Sequence, residues 1–470
     1  MLNVTLACNT QSWNEIVNEQ LVQELALNNR ITVTGFVPRS TEEQRKYARE
    51  LHFQLVDAKF NSGFSEEELL AYPPDDLNID ILVMHSYGGA DGRQGQIIKA
   101  TKNCKWVLVV HTIRQELEKF VKKSASSAAV EEPEYELQVN LCEKADLVVA
   151  VGPKVAEAVK AALRYSGKQN AIFTLMPNIL SEFLGVRRAF DLKSWDANEK
   201  FRVLISGSGK YFAVKGCDIA AKAINLLQDS SYHLIIVVRP NDDPCEIASA
   251  MHDKGISLKQ LTVRKCPATT ETWCRLLCEA DLLIQPTRAK SFGMSGLRAI
   301  SADLPLHVST NCGLGIAMRS LPSGESSVVD SDEPDIWANK LKEVRAKGPK
   351  TCHFQAKQLR IEYTVRFNWK EQVSNLVETI SEMSQPSHGM VKSQFFVNTN
   401  VLPSFQSKEP KFHHLDILCK CYSKTHQYRS CSSICLQHFR ALNLFSSLKP
   451  CNPVCLNASK WIGIKVVELL

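Results

Sequence analysis

Two doubly wound α/β domains facing a cleft are the architecture this sequence predicts, and three observations predict it. Through about residue 345, short apolar runs alternate with amphipathic stretches, as strands alternate with helices in an α/β protein. The runs are nearly continuous in apolar residues, which suits parallel strands covered on both faces. The alternation comes in two successive sets, parted by the polar segment Asp191 to Lys200, and such sheets leave a ligand crevice beyond their strand ends. At 470 residues the chain is long enough for two or three domains with sizeable cores.

Met1-Leu2-Asn3-Val4-Thr5-Leu6-Ala7-Cys8 is too short for the apolar core of a signal peptide and reads as the first strand. Ile31 to Phe36 is the next. Ile79 to His85 follows, where Asp80 interrupts the run and marks where the strand starts. Trp106 to His111 and Asp146 to Val151 complete the first set, and Pro153 opens a helix over Val155 to Leu163. The second set has strands Phe201 to Ile205, His233 to Val238 and Leu282 to Ile284, with a helix over Asp218 to Leu227. Phe367 to Met383 reads as an amphipathic helix closing the second domain. The expected boundaries are 1–190, 200–365, the closing helix 366–384 and a tail 385–470, with the hinge near 180–200. The tail loses all periodicity and is expected to be poorly ordered and dispensable for stability.

Composition narrows the partners. Lys and Arg number 56 against 50 Asp and Glu, a net charge of +6 that is mild for this length and does not indicate nucleic acid. No apolar run reaches the roughly eighteen residues of a transmembrane helix. Sixteen scattered Cys residues without a leader fit a reduced, cytoplasmic protein whose thiols are small core residues. The tail residues Cys419, Cys421, Cys431, Cys435, Cys451 and Cys455 have spacings that match no zinc template.

The richest stretch runs from Arg288 to Pro305. After the strand Leu282 to Ile284, a turn carries Ser291-Phe292-Gly293, and a helix opens at about Met294 with Ser295 in its first turn. Open amides at a helix start behind a small-residue turn make a phosphate site. Upstream, Ile205-Ser206-Gly207-Ser208-Gly209-Lys210 and then Val214-Lys215-Gly216-Cys217-Asp218 place loop cations before another helix. The rival phosphate motifs fail there. A dinucleotide fingerprint would need Gly where Phe212 stands, and a P-loop would need Gly at Leu204 and Ser or Thr at Tyr211.

Together these stretches resemble the retaining glycosyltransferases of GT-B type, family 4, over roughly residues 1–383. The resemblance implies a GT-B fold, with the second domain binding a nucleotide-diphosphate sugar and the first receiving the acceptor. It implies no cofactor and no metal, because Lys and helix-start dipoles take the phosphate charge. It also implies retention of configuration, with the donor phosphate helping the acceptor lose its proton. In the family an Arg and a Lys neutralise the diphosphate. Lys215 matches the Lys, Ser208 stands at the Arg position, and Lys210 is a nearby substitute.

The family's turn is preceded by a Glu that reads sugar hydroxyls and is followed by a Glu that reads the ribose. Here those positions are Lys290 and Arg298, and the Gly of a later Ala-Gly-x-Pro is Asp303. Carboxylates only accept hydrogen bonds and these cations only donate, so the sense is reversed. His111, ending its strand, matches a His that contacts the donor sugar and is the candidate catalytic residue; His85 stands at the corresponding end of the preceding strand. Two readings follow: a glycosyltransferase, or a catalytically silent nucleotide-sugar or phosphate-binding module acting as a sensor or interaction domain.

Overall fold

The computed structural model describes residues 1–8, 15–59, 63–87, 92–113, 128–167, 171–187, 195 and 199–384, with 128–133 by backbone alone. The tail 385–470 and its cysteines lie outside the described residues.

Two parallel sheets form the frame. The first contains β1 (Leu2–Ala7), β2 (Ile31–Val37), β3 (Gln54–Asp57), β4 (Ile81–Ser86), β5 (Lys105–Val110), β6 (Leu147–Val151) and β7 (Ile172–Leu175). Its order is β3-β2-β1-β4-β5-β6-β7. The second contains β8 (Phe201–Ser206), β9 (Tyr232–Val238), β10 (Leu261–Lys265), β11 (Leu282–Gln285), β12 (Leu306–Ser309) and β13 (Val328–Val329). Its order is β10-β9-β8-β11-β12-β13. The chain steps outward from β1 and from β8, then returns to their other side at β4 and β11. Those reversals are the switch points where α/β sheets leave a crevice beyond the strand ends.

The central strands β4, β5 and β6 are buried along nearly their whole length, as their apolar runs require. Asp80 does stand just outside β4: its carboxylate accepts from Asn3 N at 2.7 Å and Asn3 Nδ2 at 2.8 Å, fixing β4 against β1. Pro153 opens the helix Pro153–Ala162 as its first residue. In the second half the helices Cys217–Leu226 and Pro334–Lys347 cover one face and Met294–Ser301 and Pro349–Arg366 the other.

One apolar cluster crosses from sheet to sheet. Val4, Leu6 and Leu21 of the first half, Met176 to Phe183 of the connection, and Leu297, Leu314 and Tyr363 of the second belong to it. Polar contacts follow the same path. Leu180 N donates to Ser301 Oγ at 3.0 Å, Tyr363 Oη to Pro177 O at 2.8 Å, and Arg187 Nη1 to Leu277 O at 2.6 Å. The closing helix Trp369–Ser384 returns to the first half, where Met176 N donates to Gln372 Oε1 at 2.8 Å.

Asp303 shows how the chain accommodates a residue where a Gly would be free. It ends the Met294–Ser301 helix at φ +55°, a left-handed conformation costly for most side chains. The buried Arg360 donates to both of its oxygens, at 2.7 and 3.3 Å.

Candidate functional site

The loops leaving β8 and β11 meet at the second switch point. The β11 loop ends at Gly293, whose φ of +105° precedes the helix, and a Cβ there would lie 2.6 Å from Gln285 Nε2. Gln285 Oε1 accepts from Gly296 N at 3.0 Å, so one open amide of the helix start is already used. Ser295 Oγ and Ser206 Oγ share a hydrogen bond of 2.7 Å that ties the helix to the end of β8. The amides of Met294 and Ser295 have no acceptor among the described residues. They are the donors available to an anion.

Lys215 is brought to this turn by a docked loop. Arg288 N and Thr287 Oγ1 both donate to Val214 O, at 2.9 and 3.0 Å. Arg288 Nη1 also donates to Ala213 O at 2.6 Å, and its guanidinium grips Asp218 at 2.9 and 3.2 Å and Asp332 at 3.1 Å. Gly216, at φ +72°, lets the two backbones touch: a Cβ would sit 2.6 Å from the Pro286 carbonyl carbon and closer still to its oxygen. The Lys215 ammonium has no carboxylate partner among the described residues. Lost hydration, and then the nearby Arg239 guanidinium, push its pKa down, while Cys217 and Cys312 act the other way. Cys312 Sγ lies 3.4 Å from where a Gly293 Cβ would be, so Lys215 and the turn are neighbours across that sulfur.

The other expected donor residues divide. Ser208 is buried, with no partner for its hydroxyl among the described residues. Lys210 is exposed, its Nζ 5.5 Å from the Tyr211 ring centre. Lys290 and Ser291 are half-buried on the approach to the turn. Ser291 O and Phe292 O accept from Gly313 N at 2.8 Å and Leu314 N at 2.7 Å, so the turn also caps the helix Gly313–Arg319. The Phe292 ring is buried against Gly152 of the first half, where a Cβ would come within 2.5 Å of it. Arg298 lies with Cζ 4.5 Å over the Trp273 ring. Burial lowers its pKa, with Cys266, Glu15 and Glu182 opposing. Its charge is directed at an aromatic face and at two carboxylates, both from the first 190 residues: Glu15, and Glu182 of the connection.

At the first switch-point side, His85 is the last residue but one of β4 and His111 directly follows β5. His85 Nδ1 and His111 Nε2 share a hydrogen bond of 2.9 Å, and Tyr87 stacks on His111 at 4.2 Å between ring centres. Burial pushes His85 down to about 4. His111 is driven well below the ordinary histidine range by burial first and His85 second. Both rings are therefore neutral at pH 7. His111 thus comes with a partner histidine, and both stand at strand ends that open on the crevice.

Sequence reasoning passed over Arg239, Gln285 and Ser206. Each is polar and sits at or just after the C-terminal end of an apolar strand, where parallel sheets present ligand groups. That position was the available signal.

A family model described as family 4 glycosyltransferase in conflict systems matches residues 15–376. The chain belongs to that family. D-inositol 3-phosphate glycosyltransferase from Mycolicibacterium gilvum is 24% identical over 304 residues, covering 63% of this chain and 64% of that protein. The chain thus spans just under two thirds of that relative's length. The enzyme of the same description from Thermobispora bispora is 29% identical over 112 residues, 24% of this chain and 25% of its own. Among solved structures, sucrose-phosphate synthase from Thermosynechococcus elongatus aligns with a TM-score of 0.58 at 15% identity, covering 82% of this chain and 99% of that one. Anabaena HepE in complex with UDP and glucose aligns with a TM-score of 0.55 at 15% identity, covering 81% and 100%. This member of the family therefore has the GT-B fold. Among its described residues no helix is long and apolar enough to cross a membrane.

Proposed function

We propose that this family 4 glycosyltransferase moves a sugar from a nucleotide-diphosphate sugar to an acceptor with retention of configuration. The second half, 200–365, holds the donor and the half up to residue 190 receives the acceptor. The observation that carries the reading is Lys215: a half-buried cation, without a carboxylate partner among the described residues, beside a helix start with two open amides. Such a group lacks its counter-charge, and a diphosphate supplies it. When the glycosidic bond to the donor phosphate breaks, charge builds on the diphosphate, and Lys215 with the Met294 and Ser295 amides is placed to stabilise it. No metal is needed for that charge. The neutral His111 offers a hydrogen bond to a sugar hydroxyl without adding a charge at the anomeric centre.

The test is calorimetric titration of UDP and GDP into wild type and Lys215→Ala, with donor hydrolysis and transfer assayed alongside. UDP is included because HepE was solved with UDP. Loss of about tenfold or more in affinity is expected for Lys215→Ala; equal affinities remove Lys215 from the site.

A second reading, a silent nucleotide-sugar or phosphate-binding module, is favoured by Arg298. Its guanidinium occupies the Trp273 face in place of a carboxylate that would read the ribose. Nucleotide binding without turnover by any donor sugar would select it.

A further inference from the structure

We infer that Arg239 is the second diphosphate-binding cation, supplied by the loop after β9 in place of the side chain missing at Ser208. The inference rests on the donor reading above and names a residue that reading lacks. Ser208 cannot neutralise a phosphate: it carries no charge and its hydroxyl is buried at 1% exposure. Lys210, two positions on, is exposed on its own loop.

Arg239 directly follows β9, the strand next to β8, so it stands at the same end of the sheet as Lys215. Its Cζ lies 5.1 Å over the Tyr211 ring. Tyr211 in turn begins the turn that carries Lys215, whose N donates to Tyr211 O at 2.9 Å. The Arg239 loop is closed by Asp242, which accepts from Arg239 N at 3.1 Å. That loop rests against the β8 loop, where a Cβ on Gly209 would come 3.3 Å from Asp242 Oδ1. Two loops from neighbouring strands are thus packed so that one aromatic ring aligns a guanidinium beside the Lys215 turn. The mutual influence of Arg239 and Lys215 agrees with this placement.

The charge pattern supports a ligand. In this half Arg264, Arg275, Arg288, Arg319, Arg345 and Arg360 each pair with a carboxylate. Arg239, Lys210 and Lys215 do not, among the described residues. Lys210 and Arg239 flank the Tyr211 ring and Lys215 follows on the same turn, so three positive charges are gathered where an anion would relieve their repulsion. A nucleoside diphosphate with its clustered negative charge is such an anion, and the planar guanidinium over Tyr211 can donate to it in two directions.

The experiment is calorimetric titration of full-length wild type with UDP, GDP, ADP and uridine, and of Arg239→Ala, Arg239→Lys and Tyr211→Leu with uridine and the diphosphate that wild type binds, UDP first, each variant first checked for an unchanged thermal midpoint. Arg239→Ala should weaken UDP about tenfold or more while leaving uridine within about twofold. Arg239→Lys should fall between, and Tyr211→Leu should lose part of the affinity although every cation remains. Wild type that binds UDP, with Arg239→Ala binding it equally well, overturns the inference and leaves the donor reading standing. Equal losses for UDP and uridine also overturn it, because Arg239 would then be reading the nucleoside. Wild type that binds neither UDP, GDP nor ADP overturns both.

Discussion

Adding one methyl group at Gly216 should separate two costs that usually arrive together. The residue sits at φ +72°, and a Cβ there meets the Pro286 carbonyl, part of the backbone that cannot swing aside. An L residue at such a φ costs about 1–2 kcal/mol. Overpacking against a fixed neighbour costs about 1–3 kcal/mol more. Gly216→Ala should therefore destabilise by about 2–5 kcal/mol. Gly185 supplies the control: its φ is +73°, and a Cβ would have nothing within 4 Å. Gly185→Ala should lose only the backbone part, about 1–2 kcal/mol. Denaturant unfolding of both full-length variants, read as a midpoint shift at constant slope, measures the difference. The docked loop also carries Lys215, so the folded Gly216→Ala protein should bind UDP more weakly and Gly185→Ala should not. Equal midpoint shifts in the two variants would refute the close approach of Gly216 to Pro286.

The pair of Asp303 and Arg360 gives a second test. Arg360→Leu alone strands a buried carboxylate and should cost about 3–5 kcal/mol, while adding Asp303→Gly should recover most of it, since Gly takes φ +55° freely; denaturant midpoints of the single and double variants decide. A third concerns acid. His85 titrates near 4 when folded and about 6.5 when unfolded, so the unfolded chain takes up the proton first as the pH falls. This histidine should cost about 2 kcal/mol of stability between pH 7 and 4.5, and His85→Gln should lose that share of the acid sensitivity in urea unfolding at the two pH values.

The central strands were legible because burial on both faces demands apolar runs, and β4, β5, β6, β9 and β11 carry them. The edge strands β3, β7, β10 and β13, and β12 beside β13, were not. Leu261-Thr262-Val263-Arg264-Lys265 of β10 is half solvated, and β13 has only two residues, so neither shows the pattern. In the site, the Lys215 loop and the Gly293 turn are local in sequence and could be read as such. Gln285 and Arg239 act across loops that only the sheet order brings together. The direction of Phe292 depends on Gly152, far upstream, and no spacing rule reaches that far. Asp303 in place of Gly was visible, but its compensation by Arg360 lies in a helix that sequence periodicity did not pick out.

The Phe292 ring sits within the turn that offers its amides to an anion, yet it is seated on Gly152 at the end of β6. Pulling the two halves apart at this point would unseat the ring and disturb the turn in one motion. Opening and anion binding are then thermodynamically linked. Whatever free energy an anion gains from the undisturbed turn, it lends equally to keeping the halves together. A nucleotide bound only by the second half would in this way still govern how readily the first half moves.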